Sequence, residues 1–234
     1  MHFNLVDIAY GISIRANSDG YVVSIKDQSN NVLETLKLSL DDKSDMTLIA
    51  QNFLTIKEQF PNYQTIGFIS ESEYYSLIPK DFFRQETAQA LLQMQYPTIA
   101  NNQEIFYYQL QQQDAVFIYA CDHKLVSTLK NVFNDISFEH QLVMAIEKSI
   151  DSLSIYLKDN RLDCIVKLQG KIKLLNSFSY QIAEDIVYHI LNILHQLQID
   201  HTKTIIQIFA EDILKNAHQE VLHTYLPNIV FQSI

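Results

Sequence analysis

A chain of 234 residues, 47% of them hydrophobic, is long enough to bury one large core or two moderate ones without disulfides or metal staples. Its formal net charge of −10, with the basic residues scattered, argues against nucleic-acid binding, which needs clustered Lys and Arg. The two cysteines, Cys121 and Cys164, have neither ligand nor redox spacing and lie in apolar runs, so they read as small core residues.

Residues 1–7 carry no basic stretch followed by an apolar one, and runs such as residues 205–209 are too short to span a bilayer. The expected location is the cytoplasm, with no membrane insertion. Ile12 and Ile14 alternate with Ser13 and Arg15, the period of a half-buried strand. Ser18-Asp19-Gly20 makes a hairpin turn, where glycine accepts positive φ, and Tyr21-Val22-Val23-Ser24-Ile25 returns. Ser29-Asn30-Asn31 turns into a third strand over 32–40. Met46, Ile49, Phe53, Ile56 and Phe60 then form one stripe of a helix over 44–60, ended by Pro61-Asn62. Strands are expected over 65–70 and 74–78, and a helix over 84–95 after Pro79. A hairpin follows between 105–110 and 115–120, then helices over 122–133 and 139–150.

The second half is shorter. Strands over 153–157, 162–168 and 171–176 are joined by turns at Asp159-Asn160 and Gln169-Gly170. A helix over 180–197 carries Ile182, Ile186, Ile190, Ile193 and Leu197 on one face, with Ser179 as its N-cap and Glu184 and Asp185 near its positive end. A strand over 205–209, a helix over 212–225 stopped by Pro227 and a strand over 229–231 complete the chain. The strand-turn-strand opening, third strand, helix and further strand thus occur twice. The expected architecture is α/β with mixed sheets in two lobes facing a cleft. The first lobe covers 1–150, with an inserted subdomain at about 72–120, and the second covers 151–234.

Three strands, a helix, a strand, a helix and a strand are the order of the ribonuclease-H-like fold, and their tandem form resembles the actin-like ATPase fold. At residue level the chain resembles a bacterial family of unknown function assigned that fold. The matching stretches are Gly11-Ile12-Ser13-Ile14 with Asp19-Gly20, Leu77-Ile78-Pro79 before Phe82-Phe83, and Phe178-Ser179-Tyr180 before Glu184-Asp185-Ile186-Val187-Tyr188. The wider superfamily holds sugar kinases, chaperone ATPases, filament proteins and non-hydrolysing assembly proteins of pilus and secretion machines. Its active members place glycine-bearing turns in both lobes, because backbone N–H groups reach phosphate only where no side chain collides.

Here those turns are degenerate. Asp7 is followed by Ile8, Ala9 and Tyr10, Asp19-Gly20 suits a hairpin, and Lys158-Asp159-Asn160-Arg161 has no glycine. Ala210-Glu211-Asp212 replaces a glycine pair. If the fold holds, Asp19, Asp159, Glu211 and Asp212 approach the cleft and repel a triphosphate, unless magnesium reverses the sign. A nuclease would need carboxylates in the central strands. Asp163 is the candidate there and reads as outward-facing. His218 and His223 are five apart rather than four, and so diverge by roughly 140° on a helix.

The adjacent aromatics Tyr74-Tyr75, Phe82-Phe83 and Tyr107-Tyr108 place one member of each strand pair off its own core face, where a neighbouring helix covers it, the commoner outcome, or an interface does. The expectation is a non-catalytic actin-like protein without a cofactor, binding another protein through Tyr75, Phe83 and Tyr108. Homo-oligomerisation is also open to it. The rivals are a divergent ATP-binding enzyme or kinase, and a small-ligand sensor using the inter-lobe cleft.

Overall fold

A computed structural model describes residues 10–17, 20–40, 44–200 and 202–232. The chain divides into two compact units, Met1–Leu110 with Asp114–Met144, and Gln111–Gln113 with Ala145–Ile234.

The first unit opens with an antiparallel meander of β1 (Tyr10–Asn17), β2 (Gly20–Asp27) and β3 (Val32–Ser39). Helix α1 (Met46–Gln59) leads to β4 (Tyr63–Ser70), which lies parallel to β1. An insertion follows, formed by β5 (Tyr75–Pro79), α2 (Ala88–Gln95), β6 (Gln103–Leu110) and β7 (Ala115–Asp122). Its strands make a separate antiparallel sheet in the order β5-β7-β6. Then α3 (His123–Val132) returns the chain to β8 (Ser137–His140), parallel to β4, and α4 (Gln141–Lys148) follows. The main sheet has the order β3-β2-β1-β4-β8.

The core follows from period. Ile12, Ile14, Val23, Ile25, Ile66 and Phe68 alternate onto one sheet face and meet Ile49, Phe53 and Ile56 from α1 and Leu129 and Val132 from α3. Each such buried side chain contributes about 1.5–3 kcal/mol relative to exposure. Both helices start at an aspartate. Asp45 accepts from the N–H groups of Thr47 and Leu48, each at 3.0 Å. Asp122 accepts from Lys124 at 2.8 Å and Leu125 at 3.1 Å.

The second unit repeats this plan without the insertion. Strands β9 (Ser152–Leu157), β10 (Arg161–Leu168) and β11 (Lys171–Ser179) meander, and α5 (Ala183–Gln196), β12 (Ile206–Phe209), α6 (Asp212–Tyr225) and β13 (Ile229–Gln232) follow. The order β11-β10-β9-β12-β13 matches the first sheet strand for strand, again with the fourth and fifth strands parallel to the first. Both units therefore have the ribonuclease-H-like order. No helix among the described residues is long and apolar enough to cross a membrane.

Two local expectations change. The helix expected from residue 139 starts at Gln141, because Ser137–His140 pairs with β4 as a short edge strand and Phe138 stacks on Phe106 at 4.9 Å. Helix α5 starts at Ala183, so Ser179 ends β11 instead of capping α5 and Ile182 is exposed. The Asp185 carboxylate does the capping, accepting from the N–H groups of Gln181 at 2.9 Å and Ile182 at 3.2 Å.

Candidate functional site

In the second unit, the parallel register Phe209↔Tyr156 brings the β9–β10 turn and the β12–α6 turn to the same end of the sheet, at the C-terminal ends of two neighbouring strands. Asp159 is exposed in the first turn, and Glu211 and Asp212 are exposed in the second. The two turns that carry these three carboxylates thus leave neighbouring strands at the same end of the sheet. The structure corrects Asp163, which is 0% exposed. Parity puts Asp163 on the face opposite the helix-packed Leu162 and Cys164. There Arg161 Nε lies 3.1 Å from Oδ1 and Lys158 Nζ 3.5 Å from Oδ2, and the Ser177 hydroxyl donates to Oδ1. A carboxylate buried this deeply needs such partners. Lys158 and Arg161, which flank the turn, thus both approach Asp163.

The turn backbone is fixed as well. Lys158 N–H donates to the Arg161 carbonyl at 2.8 Å and Tyr180 N–H donates to the Asn160 carbonyl at 3.0 Å. The Tyr180 hydroxyl donates to the Lys158 carbonyl. Burial, helped by Asp159, pushes that hydroxyl up to about 12, so it remains a donor. In the first unit, Asp7 and Asp19 lie outside the described residues. Gly20 has φ 148°, and a Cβ there would stand 1.9 Å from the Leu38 carbonyl oxygen. Its freedom serves the close approach of β3.

Among the aromatics, Tyr75 must be corrected. It is 3% exposed and stacked on Phe117 at 5.5 Å, so it belongs to the core and cannot meet a partner. Phe83 is half-buried against Tyr107, at 5.3 Å between rings. Tyr108 is 40% exposed and Tyr107 49%. The ring that stands out is Phe82, 75% exposed, which the sequence reading did not select. Its position in a short 3-10 turn, outside any strand parity, hid it.

A recess of about 670 Å³ opens in the first unit on the sheet face opposite the buried Ile12 and Ile66. Its floor holds Gly11, Ser13, Thr65, Gly67 and Ser137, and Lys26 and Glu139 add one charge of each sign. Asp27, also lining it, is engaged by its own turn, accepting from Ser29 and Asn31 N–H at 2.8 Å each. Such a set can hydrogen-bond a small polar molecule.

Three histidines of the second unit pack near an aromatic ring: His218 on Tyr180 at 5.6 Å, His223 near Phe231 at 5.9 Å and His189 on Phe178 at 4.6 Å. Among the described residues, no three His, Cys, Asp or Glu side chains are placed to hold a metal ion. Both cysteines are buried, and burial pushes the Cys121 thiol up to about 11, which makes it a poor nucleophile.

Residues 6–229 match a family described as "Protein of unknown function (DUF3822)". The chain belongs to that family. No curated protein matches this family member significantly. Among solved structures it is similar to a Bacteroides thetaiotaomicron protein with an actin-like ATPase fold and unknown function. That match has a TM-score of 0.80 at 20% identity, over 99% of this chain and 94% of that one. It is also similar to the cytoplasmic domain of EpsL, an inner membrane component of the Vibrio cholerae type II secretion system, at TM-score 0.52 and 10% identity, over 96% and 86%. The PilM–PilN type IV pilus biogenesis complex contains a third similar chain, at TM-score 0.54 and 8% identity, over 97% and 88%. These likenesses establish the actin-like ATPase fold for this DUF3822 chain.

Proposed function

We propose that this protein is a non-catalytic actin-like protein that acts by binding another protein. The observation that carries this reading is the end of the second-unit sheet where β9 and β12 finish. Asp159, Glu211 and Asp212 are exposed there without a glycine, while Lys158 and Arg161 turn onto Asp163. A polyphosphate brought to this end of the sheet meets excess negative charge and turns without the glycine that lets backbone amides approach phosphate. The insertion supplies exposed aromatic surface in Phe82 and Tyr108, residue types enriched in interfaces. That PilM is found in a complex with PilN fits a binding role on this fold. Thermal shift and calorimetry with magnesium-ATP test the first half of the reading, with no binding expected. Micromolar affinity lost on Asp159→Ala would establish the ATP-binding rival instead. Capture from a lysate of the native organism, compared between wild type and Phe82→Ser with Tyr108→Ser, tests the second half, with a partner lost in the variant expected.

The recess over Ser13, Thr65 and Ser137 favours a second reading, a small-ligand sensor. Gly67→Val, which would fill its floor beside Ser137, should abolish any metabolite-induced rise in melting temperature if that reading holds.

A further inference from the structure

Among the described residues, the three sheets leave six edge strands, and five of them are blunted. In the first-unit main sheet, β3 carries Glu34 and Lys37 beside a register shift at Ile25/Lys26, and β8 has only 4 residues. In the second unit, β11 carries Lys171 and Lys173 beside a shift at Val166/Lys167, and β13 has 4 residues. In the insertion, β5 ends in Pro79, and the Tyr96 hydroxyl donates to the Tyr75 carbonyl at 3.0 Å. Short length, charge, bulges and proline are the devices that stop an open strand from pairing with another chain.

Strand β6 is neither short, bulged nor broken by proline, and its charge is engaged. It runs 8 residues in unbroken register, from Gln103↔Asp122 to Leu110↔Ala115, and contains no proline, glycine or lysine. Its one charge, Glu104, is held by Lys130 at 2.6 Å and faces His123 at 3.5 Å. Tyr107, Tyr108 and Gln109 are exposed in succession.

We propose that β6 pairs antiparallel with β6 of a second copy of this chain, joining the two insertion sheets across a twofold axis. The occupant is a second copy because the strand is complementary to itself. An axis through Tyr107 opposes Tyr107 to its own counterpart, Phe106 to Tyr108, Ile105 to Gln109 and Glu104 to Leu110. Aromatic rings meet aromatic rings, and no carboxylate meets a carboxylate, which cross-strand pairing would penalise. A twofold contact of this kind closes on itself and ends at a dimer. One strand buries less than the roughly 1,600 Å² of a standard interface, so the dimer is weak and reversible. Each copy also carries −10, so long-range repulsion opposes association and salt relieves it. The inference shares Tyr108 with the proposed partner surface but differs from it in occupant and in its central residue, Tyr107, so the Tyr107 variants test it separately.

Sedimentation equilibrium over a wide concentration series should show a monomer–dimer equilibrium that tightens from low to high salt. Tyr107→Lys opposes two cations across the axis and should weaken the dimer several-fold while leaving the melting temperature within a few degrees. Directly opposed residues in an antiparallel pair have Cα atoms about 4.5–5.5 Å apart, within disulfide range. Tyr107→Cys should therefore cross-link to a dimer on mild oxidation, the native Cys121 and Cys164 being buried. Gln103→Cys, beyond the paired span, should not. A chain that stays monomeric throughout, a dimer indifferent to Tyr107→Lys, or equal cross-linking at both cysteines would overturn the proposal. So would a wild-type monomer whose β6 is occupied only by an unrelated strand peptide.

Discussion

In the first unit the opening hairpin returns at Gly20, whose missing side chain lets the Leu38 carbonyl come close. In the second, the corresponding hairpin returns at Arg161, whose long side chain folds onto Asp163. The units differ again after the fourth strand. The second passes from β12 to α6 through Ala210 and Glu211, whereas the first inserts residues 71–122 at the same topological point. The helix-facing side of each sheet is interchangeable in kind, Ile12 and Ile14 in one and Leu153 and Ile155 in the other. Packing against two helices asks for little more than apolar residues at period two. The turns and the far face are under no such demand, and there the two units carry different chemistry.

If that contrast is real, the charged clamp should be the most sensitive element of the second unit. Asp163→Ala leaves Lys158 and Arg161 largely buried without their carboxylate and should cost about 3–5 kcal/mol in urea unfolding. Replacing all three, with Asp163→Leu, Lys158→Met and Arg161→Met, should cost far less, because no unpaired charge remains. A mild Asp163→Ala would mean that the clamp is incidental. In the insertion, Tyr75→Ser should cost about 3 kcal/mol by emptying its place on Phe117. Tyr108→Ser should stay within about 0.5 kcal/mol as a surface change. Gly20→Ala brings both a clash with Leu38 and positive φ, and should cost about 2–3 kcal/mol. Gly170→Ala, with φ 72° but nothing within 4 Å of the added Cβ, should cost less. Equal costs at the two glycines would show that backbone strain, and not the approach of β3, sets the demand at Gly20.

These sites also mark where the sequence was legible. The α1 stripe and the β9–β11 meander repeat their periods over whole elements, so Ile49, Phe53 and Ile56 could be placed in the core from spacing alone. Strand β8 has 4 residues, too few for a period to declare itself beside a helix. Parity told that Tyr74 and Tyr75 face opposite ways, but not that His140 and Phe117 cover the Tyr75 side. A lone aspartate in an apolar strand reads as solvent-facing. The partners that bury Asp163 come from a turn and from Ser177 on the next strand, and only the folded register assembles them. The turns of Asp159 and of Glu211 and Asp212 could be placed at one end of the sheet because the fold order itself sets β9 beside β12.

The smallest effects concern helix starts, where the units again differ. Asp45→Ala removes acceptors from Thr47 and Leu48 and should cost about 1 kcal/mol. In the second unit, backbone hydrogen bonds from Gln181 and Ile182 lower the Asp185 carboxyl below the usual range. Hydrogen bonds from Thr202, with Lys203 nearby, bring Asp200 down to about 2. For both, folding favours the charged form. Their stabilisation is therefore complete above the unfolded carboxylate value near 4 and fades as pH falls toward the folded value. For Asp200 that window runs from about 4 to about 2. Asp200 is solvent-exposed, so the contribution is small and salt-sensitive. Asp200→Asn should flatten the acid limb of the melting curve in that window and leave the slope from pH 5 to 7 unchanged. An unaltered acid limb would assign the acid sensitivity of the second unit to Asp185, and Asp185→Asn would test that.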